Sequence, residues 1–345
     1  MEDLTPRRRA ILESVVREFI ATATPIGSKT IAERCGLGLS PATIRNELAY
    51  LEERGYLTHP YTSAGRIPTD EGYRYFVEHL MEEVELPPAE RQIIRDRLYQ
   101  MPLEMGQWLR LAAAVLSQIA ESAALVAAPH PPRSRFKHLK LISLHGSMAL
   151  LILVLQGGMV KQRMLTLARP YAQAELNRTA SQLNSLFEGR GPREIAMKLP
   201  QLSPLGKQVA ASVMEVMKQV GEWANGEIYR GGLANLLHQP EFATVENARR
   251  LVNVWEERSI LKALMAEASD LAMGKVQVII GKESPWDEFK ECSLVLARYG
   301  VDESASGALG VIGPKRMAYE RVISAVRYVA DLMSDMVRRL YGNHA

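Results

Sequence analysis

Several features that would each point to a function are scarce in this chain. Only 2 of its 345 residues are cysteine. Cys35 and Cys292 lie far apart and outside any CxxC or Cys/His cluster, so neither a zinc site nor a disulfide framework is indicated, and both read as small packing hydrophobes. Long apolar runs are missing too. The most apolar stretch, Ala149 to Leu155, falls far below the roughly 18 residues of a membrane span, and Glu2 and Asp3 spoil the basic start of a secretory leader. The expectation is a soluble, cytoplasmic protein that meets no membrane. Net charge is nearly absent: 42 Lys and Arg against 39 Asp and Glu leave +3. Overall charge therefore does not announce nucleic acid, and local placement must carry any such argument. The 7 histidines are scattered and no Ser/His/acid or His/Cys grouping stands out. No enzyme activity, metal or cofactor is expected on these grounds.

What is present begins with a helical rhythm. At about 100 to 200 residues per domain, the length suggests two or three domains. Ile11, Val15, Phe19 and Ile20 recur at helical spacing until Pro25 and Gly27 stop them. A short second helix follows Ser28, which can cap it, and packs Ile31 and Ala32; Gly36 and Gly38 then turn the chain. A third helix opens with Ser40 as N-cap and Pro41 at the first helical position, where the missing N–H costs nothing. Beyond Gly55, the residues from Tyr56-Leu57 through a turn-rich segment to Arg66-Ile67-Pro68 suit a two-stranded wing. Thr69 or Asp70 can cap a fourth helix with Tyr73, Phe76, Val77 and Leu80 on one face. This is the order of a winged helix-turn-helix. The stretch "EEVELPPAE", Glu82 to Glu90, reads as a linker, with a boundary near residue 88.

In the third helix Ile44, Leu48 and Leu51 must face the core. The opposite surface then presents Ala42, Asn46, Ala49 and Tyr50, flanked by Thr43 and Arg45. Small residues permit close approach, asparagine pairs bidentately with adenine and arginine with guanine in the major groove. A wing arginine, Arg66, can touch phosphate or enter a narrow A·T-rich minor groove. The candidate DNA contacts are therefore Ser28, Lys29, Ser40, Ala42, Thr43, Arg45, Asn46, Tyr50, Ser63 and Arg66. Residues 1 to 75 hold 10 basic and 10 acidic side chains, so non-specific binding should be weak and specificity should come from placement and dimerisation. The Arg7-Arg8-Arg9 run suits either a phosphate contact or a solvated helix start.

Beyond the linker, an Ala-rich helix is expected from about Leu103 to Ala128. Three candidate strands follow, "LKLISLH", "ALLILVLQ" and "MVKQRMLTL", with Gly146-Ser147 and Gly157-Gly158 between them as hairpin turns. From about Tyr171 to Ala272 nearly everything reads helical, interrupted at "GRGP" and "YRGGL". Strand patterns return at "VQVIIG", "CSLVLARYG" and "GALGVIG" before a last helix from about Met317 to Tyr341. Sheet, helical block and sheet again suggest a helical insertion within an α/β domain. The glycines of "SGALGVIGPKR" fit neither phosphate-binding spacing and read as a strand and turn where backbones approach closely.

The stretches "SPATIRNEL", "LEERGYL" and "TSAGRIPTDEGYRYFV" closely resemble the N-terminal region of the HrcA family of heat-inducible transcription repressors. The similarity continues at "NLLHQPEF", "CSLVLARYG" and "GVIGPKRMAYERVI", and so spans nearly the whole chain. Two positions depart from the family pattern: Leu48, where methionine is common, is a volume-conserving swap, whereas Tyr61, where histidine is common, bears on the wing tip. The resemblance implies a homodimeric repressor of chaperone operons that binds double-stranded DNA at an inverted repeat called CIRCE, its activity maintained by the GroE chaperonin. It also implies an α+β multidomain fold: a winged helix-turn-helix at 1–88, a GAF-like α/β domain at 89–170 and 273–345, and an inserted, mostly helical dimerising domain at 171–272. Because GAF-like domains hold small molecules, the main rival is a small-molecule-responsive winged-helix transcription factor; an enzyme with an accessory DNA-binding module is a third class.

Overall fold

The computed structural model describes residues 4–34, 36, 38–61, 64–82, 84–99, 104–129, 135–156, 160–221, 227–269, 271–301 and 305–341. The chain divides into two compact units, one of Met1–Ala128, Glu227–Gly300 and Gly307–Ala345, the other of Pro129–Gly226 and Val301–Ser306. Both mix helices with antiparallel sheet.

The first unit begins with α1 (Pro6–Thr22), α2 (Ser28–Arg34) and α3 (Pro41–Glu53), followed by the hairpin strands β1 (Leu57–Thr58) and β2 (Ile67–Pro68) and by α4 (Asp70–Tyr75), which runs into a π turn at Phe76–Leu80. The apolar spacing in the sequence becomes one small core: Ile11, Leu12, Val15 and Val16 of α1 meet Ile31 of α2 and Ile44, Leu48 and Leu51 of α3, all buried. Thr69 caps α4, its hydroxyl accepting from the Gly72 N–H at 3.1 Å. Two glycines in "GRIPTDEG" are fixed by space. A Cβ on Gly65 would sit 2.5 Å from the Ile26 backbone, and one on Gly72 would sit 2.1 Å from the Tyr56 carbonyl oxygen. Gly65 lets Ile26 and Arg66 exchange two backbone hydrogen bonds, at 2.9 and 2.8 Å.

After α5 (Pro88–Tyr99) and α6 (Met105–Ala120) the unit is built on a five-stranded sheet. Its strands are β3 (Ala123–Ala127), β7 (Ile228–Gly231), β8 (Val276–Ile280), β9 (Cys292–Val301) and β10 (Ala305–Pro314), in the order β7-β3-β10-β9-β8. Around it lie α10 (Leu233–Leu237), α11 (Val245–Glu256), α12 (Arg258–Ser269) and α13 (Tyr319–Tyr341). The helix expected to reach Ala128 stops at Ala120, with Glu121 in the left-handed region at φ 49. Ala123–Ala127 is a strand instead, every residue of it buried between β7 and β10. Five apolar residues in a fully buried central position override alanine's helix preference. The "YRGGL" interruption of the helical block holds the end of β7, paired antiparallel with β3, and then Gly232 and Leu233, which start α10.

The glycine-rich "SGALGVIGPKR" serves packing. A Cβ on Gly307 would fall 2.3 Å from the Tyr299 ring, and that tyrosine donates to the Ala127 carbonyl at 2.6 Å across the sheet. Arg316 joins two separated motifs, donating from Nε to Glu241 at 2.6 Å and from Nη2 to Gln239 at 2.8 Å, while Nη1 reaches the Ile20 carbonyl at 3.3 Å. Further polar contacts hold the first helices to this sheet region. Arg17 forks onto Glu320 at 2.8 and 3.1 Å, Arg74 Nε donates to Glu283 at 2.7 Å, and Asp70 takes the Lys315 ammonium at 3.0 Å and the Lys282 N–H at 3.0 Å. The hydrogen bonds to Glu320 and Glu283 hold the Arg17 and Arg74 guanidinium groups more firmly protonated than usual.

The second unit carries β4 (Phe136–Ser143), β5 (Met148–Leu155) and β6 (Val160–Thr166) as an antiparallel meander, with α7 (Gln173–Phe187), α8 (Pro192–Ala196) and α9 (Pro204–Gly221). Strict alternation along β5 buries Ala149, Leu151, Leu153 and Leu155 against Leu183 and Phe187 of α7 and Val209 and Val213 of α9. Asn184 stitches helix to sheet, accepting from the Leu139 N–H at 2.7 Å and donating to its carbonyl at 3.1 Å.

Candidate nucleic-acid interface

The face of α3 opposite its buried stripe is exposed at Ala42, Arg45, Asn46 and Ala49, with Thr43 and Tyr50 half-buried beside them. The N-terminus of α3 is built as expected: the Ser40 hydroxyl accepts from the Thr43 N–H at 3.1 Å and lies 2.9 Å from the Thr43 hydroxyl. Those two hydroxyls are thus engaged in the cap. Arg45 and Asn46 form no hydrogen bond or ion pair among the described residues, and their polar ends are open to solvent. Ser28 is the first residue of α2, and Lys29 projects from it into solvent with Glu33 one turn on, 3.8 Å away. Ser63 lies outside the described residues.

Helical geometry gives this exposed face two flanks. On one lie Thr43, Glu47, Tyr50 and Arg54; on the other lie Arg45, Ala49 and Glu52. The second flank meets the hairpin. Arg66, expected to point at DNA, instead donates from Nη2 to Glu52 at 2.6 Å, the two side chains only 23% and 24% exposed. Glu52 also holds His59 Nδ1, so one carboxylate anchors both strands' ends to the helix. The first flank meets the start of α1. Arg8 donates from Nε to Glu47 at 2.8 Å, and its guanidinium carbon lies 3.4 Å from the centroid of the Tyr50 ring. Arg54 approaches the same ring at 5.1 Å.

Glu47, Glu52 and His59 were not among the residues singled out from sequence, and Arg8 was noted only as part of a basic run. No spacing rule links Arg8 to a helix 39 residues on. Elsewhere among the described residues, no cluster of His, Cys, Asp and Glu is placed to hold a metal. Cys292 is a buried free thiol, pushed up to about 12 by burial. No helix among the described residues is long and apolar enough to cross a membrane.

Comparison with known proteins adds a family. Residues 106–323 match the family described as "HrcA protein C terminal domain". The chain is 45% identical over 348 aligned positions to the heat-inducible transcription repressor HrcA of Roseiflexus castenholzii, covering 99% of this chain and 96% of that protein. It is 44% identical to the protein of the same name from Herpetosiphon aurantiacus, covering 99% and 97%. A crystal structure described as that of a hypothetical protein superposes with a TM-score of 0.60 at 24% identity, over 98% of this chain and 99% of that one, and supports the fold alone.

Proposed function

The chain belongs to the HrcA family of heat-inducible transcription repressors, and from that premise we propose that it is a cytoplasmic, non-enzymatic repressor that binds an inverted-repeat operator at chaperone genes as a homodimer. The observation that carries the reading is the exposed face of α3, where Arg45 and Asn46 stand without partners among the described residues above a buried stripe of Ile44, Leu48 and Leu51. A helix diameter of about 10–12 Å fits a major groove about 12 Å wide. In this reading residues 1–88 form a winged helix-turn-helix, α3 being the reading helix and the β1–β2 hairpin the wing. The five-stranded sheet with α6 and α13 belongs to a GAF-like domain. An inserted domain supplies the dimer contact; the pattern places it at 171–272, which overlaps the helices of the unit at Pro129–Gly226. A single reading helix contacts few base pairs, and a nearly neutral module gains little from counterion release, so two copies on two half-sites are needed for useful affinity. The GroE chaperonin is proposed as the partner that maintains the active form.

A small-molecule-responsive factor is not favoured. The relatives are named as heat-inducible repressors, and the cleft of about 280 Å³ between α1 and the start of α13 is rimmed by arginines already paired, Arg17 with Glu320 and Arg321 with Glu90. The test is a footprint of the purified protein on the promoter of the organism's own chaperonin operon, with the mass of the bound species measured by light scattering. Protection of both arms of an inverted repeat by a dimer is expected. Uniform protection, or protection of one arm by a monomer, overturns the reading.

A further inference from the structure

We infer that Arg8, at the start of α1, is a DNA-phosphate-binding residue, gripping the backbone on the flank of α3 opposite the hairpin. The inference rests on the DNA-binding reading above and adds a contact outside both the reading helix and the wing.

Geometry is the first support. The Arg8 guanidinium lies against the Tyr50 ring, 3.4 Å from its centroid, and its Nε donates to Glu47 at 2.8 Å. A stacked plane with one hydrogen bond has little rotational freedom left, so little ordering remains to be lost when a ligand binds. Only Nε is used. Neither Nη group of Arg8 makes a hydrogen bond among the described residues, and two parallel N–H donors match two phosphate oxygens.

Charge is the second. Arg7 also faces Glu47, at 3.7 Å, with its side chain 57% exposed, so two guanidinium groups share one carboxylate and one positive charge is left over. On the hairpin flank Glu52 balances Arg66, and the cation left over there is Arg45, at the edge of the reading face itself. The flank bearing Arg8 therefore holds a surplus positive charge, outside the reading face, that attracts an anion.

Position is the third. Tyr50 and Glu47 lie within one turn of Asn46 on the helix surface. When a helix of about 10–12 Å diameter fills a groove about 12 Å wide, the phosphate ridges run along its two flanks. A guanidinium held on a flank faces a ridge rather than a base edge. Arg8 therefore contributes affinity and register, not sequence preference.

The competing role is a clamp that merely joins α1 to α3. Binding of a labelled inverted-repeat duplex and a scrambled duplex, measured by fluorescence anisotropy from about 50 to about 200 mM salt, separates the two. Arg8→Ala is expected to flatten the plot of log Kd against log salt by about 0.9 for each protomer bound, equally on both duplexes, so that its deficit against wild type narrows by about 3.5-fold per protomer across that range. Arg8→Lys, which keeps the charge, restores most of the slope. Glu47→Gln, which frees both arginines, steepens it. An unchanged slope in Arg8→Ala and in Glu47→Gln overturns the inference, whatever happens to melting temperature. Loss of preference for the inverted repeat by the wild-type protein instead strikes the operator reading, while a slope that still responds to Arg8 leaves the phosphate contact standing.

Discussion

Arg66 is the residue at which the structure most changes the expectation drawn from sequence. A wing arginine on phosphate releases counterions, so replacing it by alanine should lower the salt slope of DNA binding by about 0.9 per protomer. Here its Nη2 is spent on Glu52 at 2.6 Å and its Nε is buried without a partner. A charge-assisted hydrogen bond contributes about 1.5–3 kcal/mol. Partial exposure lowers that figure, and removing the unsatisfied Nε offsets part of the loss, so Arg66→Ala should destabilise the N-terminal helices by about 1 kcal/mol. Its salt slope should stay within about 0.3 of wild type, because no phosphate contact is lost. Glu52→Gln should do the reverse: it frees Arg66 and removes a negative charge beside the DNA, so the slope steepens. Thermal melts and anisotropy titrations at several salt concentrations measure both quantities. A slope that falls by about 0.9 in Arg66→Ala with no change in melting temperature would place Arg66 on phosphate and refute the reasoning.

Other consequences follow from the packing. Arg316→Ala removes three partners at once from a side chain only 14% exposed and leaves Glu241 without its cation, so a loss of about 2–3 kcal/mol is expected in denaturant unfolding; a change below about 0.5 kcal/mol would show that the link is idle. Cys292, with its thiol pushed up to about 12, should resist alkylation at pH 8 to 9 in a Cys35→Ser background, where an exposed thiol with a pKa of about 8.5 reacts readily. Labelling of the native protein at the rate of the unfolded chain would contradict the burial.

Sequence was informative where structure is decided locally. The Ser40-Pro41 start and the Ile44, Leu48 and Leu51 stripe are written within a few residues and are found as read, and of the two caps open to the fourth helix, Thr69 and Asp70, Thr69 is the one used. Ala123–Ala127 was misread because alanine favours helix in isolation, whereas burial between two neighbouring strands decides its state. Which sheet a strand joins is equally non-local: three of the six strand segments found from pattern form β4 to β6 and pair only with one another, whereas the rest, β8 to β10, join the sheet of β3, with β10 alone of them paired to it. At the candidate site, the residue types on α3 were legible, but the side chains that hold it were not. Arg8 reaches Glu47 across 39 residues and Arg316 reaches Glu241 across 75, and no periodicity records such pairs.

In the proposed complex α3 is the reader of base edges. Arg45 and Asn46 support nothing in the fold, so replacing either by alanine should leave the melting temperature unchanged while costing about 1–3 kcal/mol on the inverted repeat and little on random DNA. Titration of Arg45→Ala and Asn46→Ala against operator and scrambled duplexes, beside wild type, is the direct measurement. A loss confined to the operator is the predicted result. Operator binding equal to wild type in both variants would contradict the claim and leave the exposed face of α3 as solvated surface.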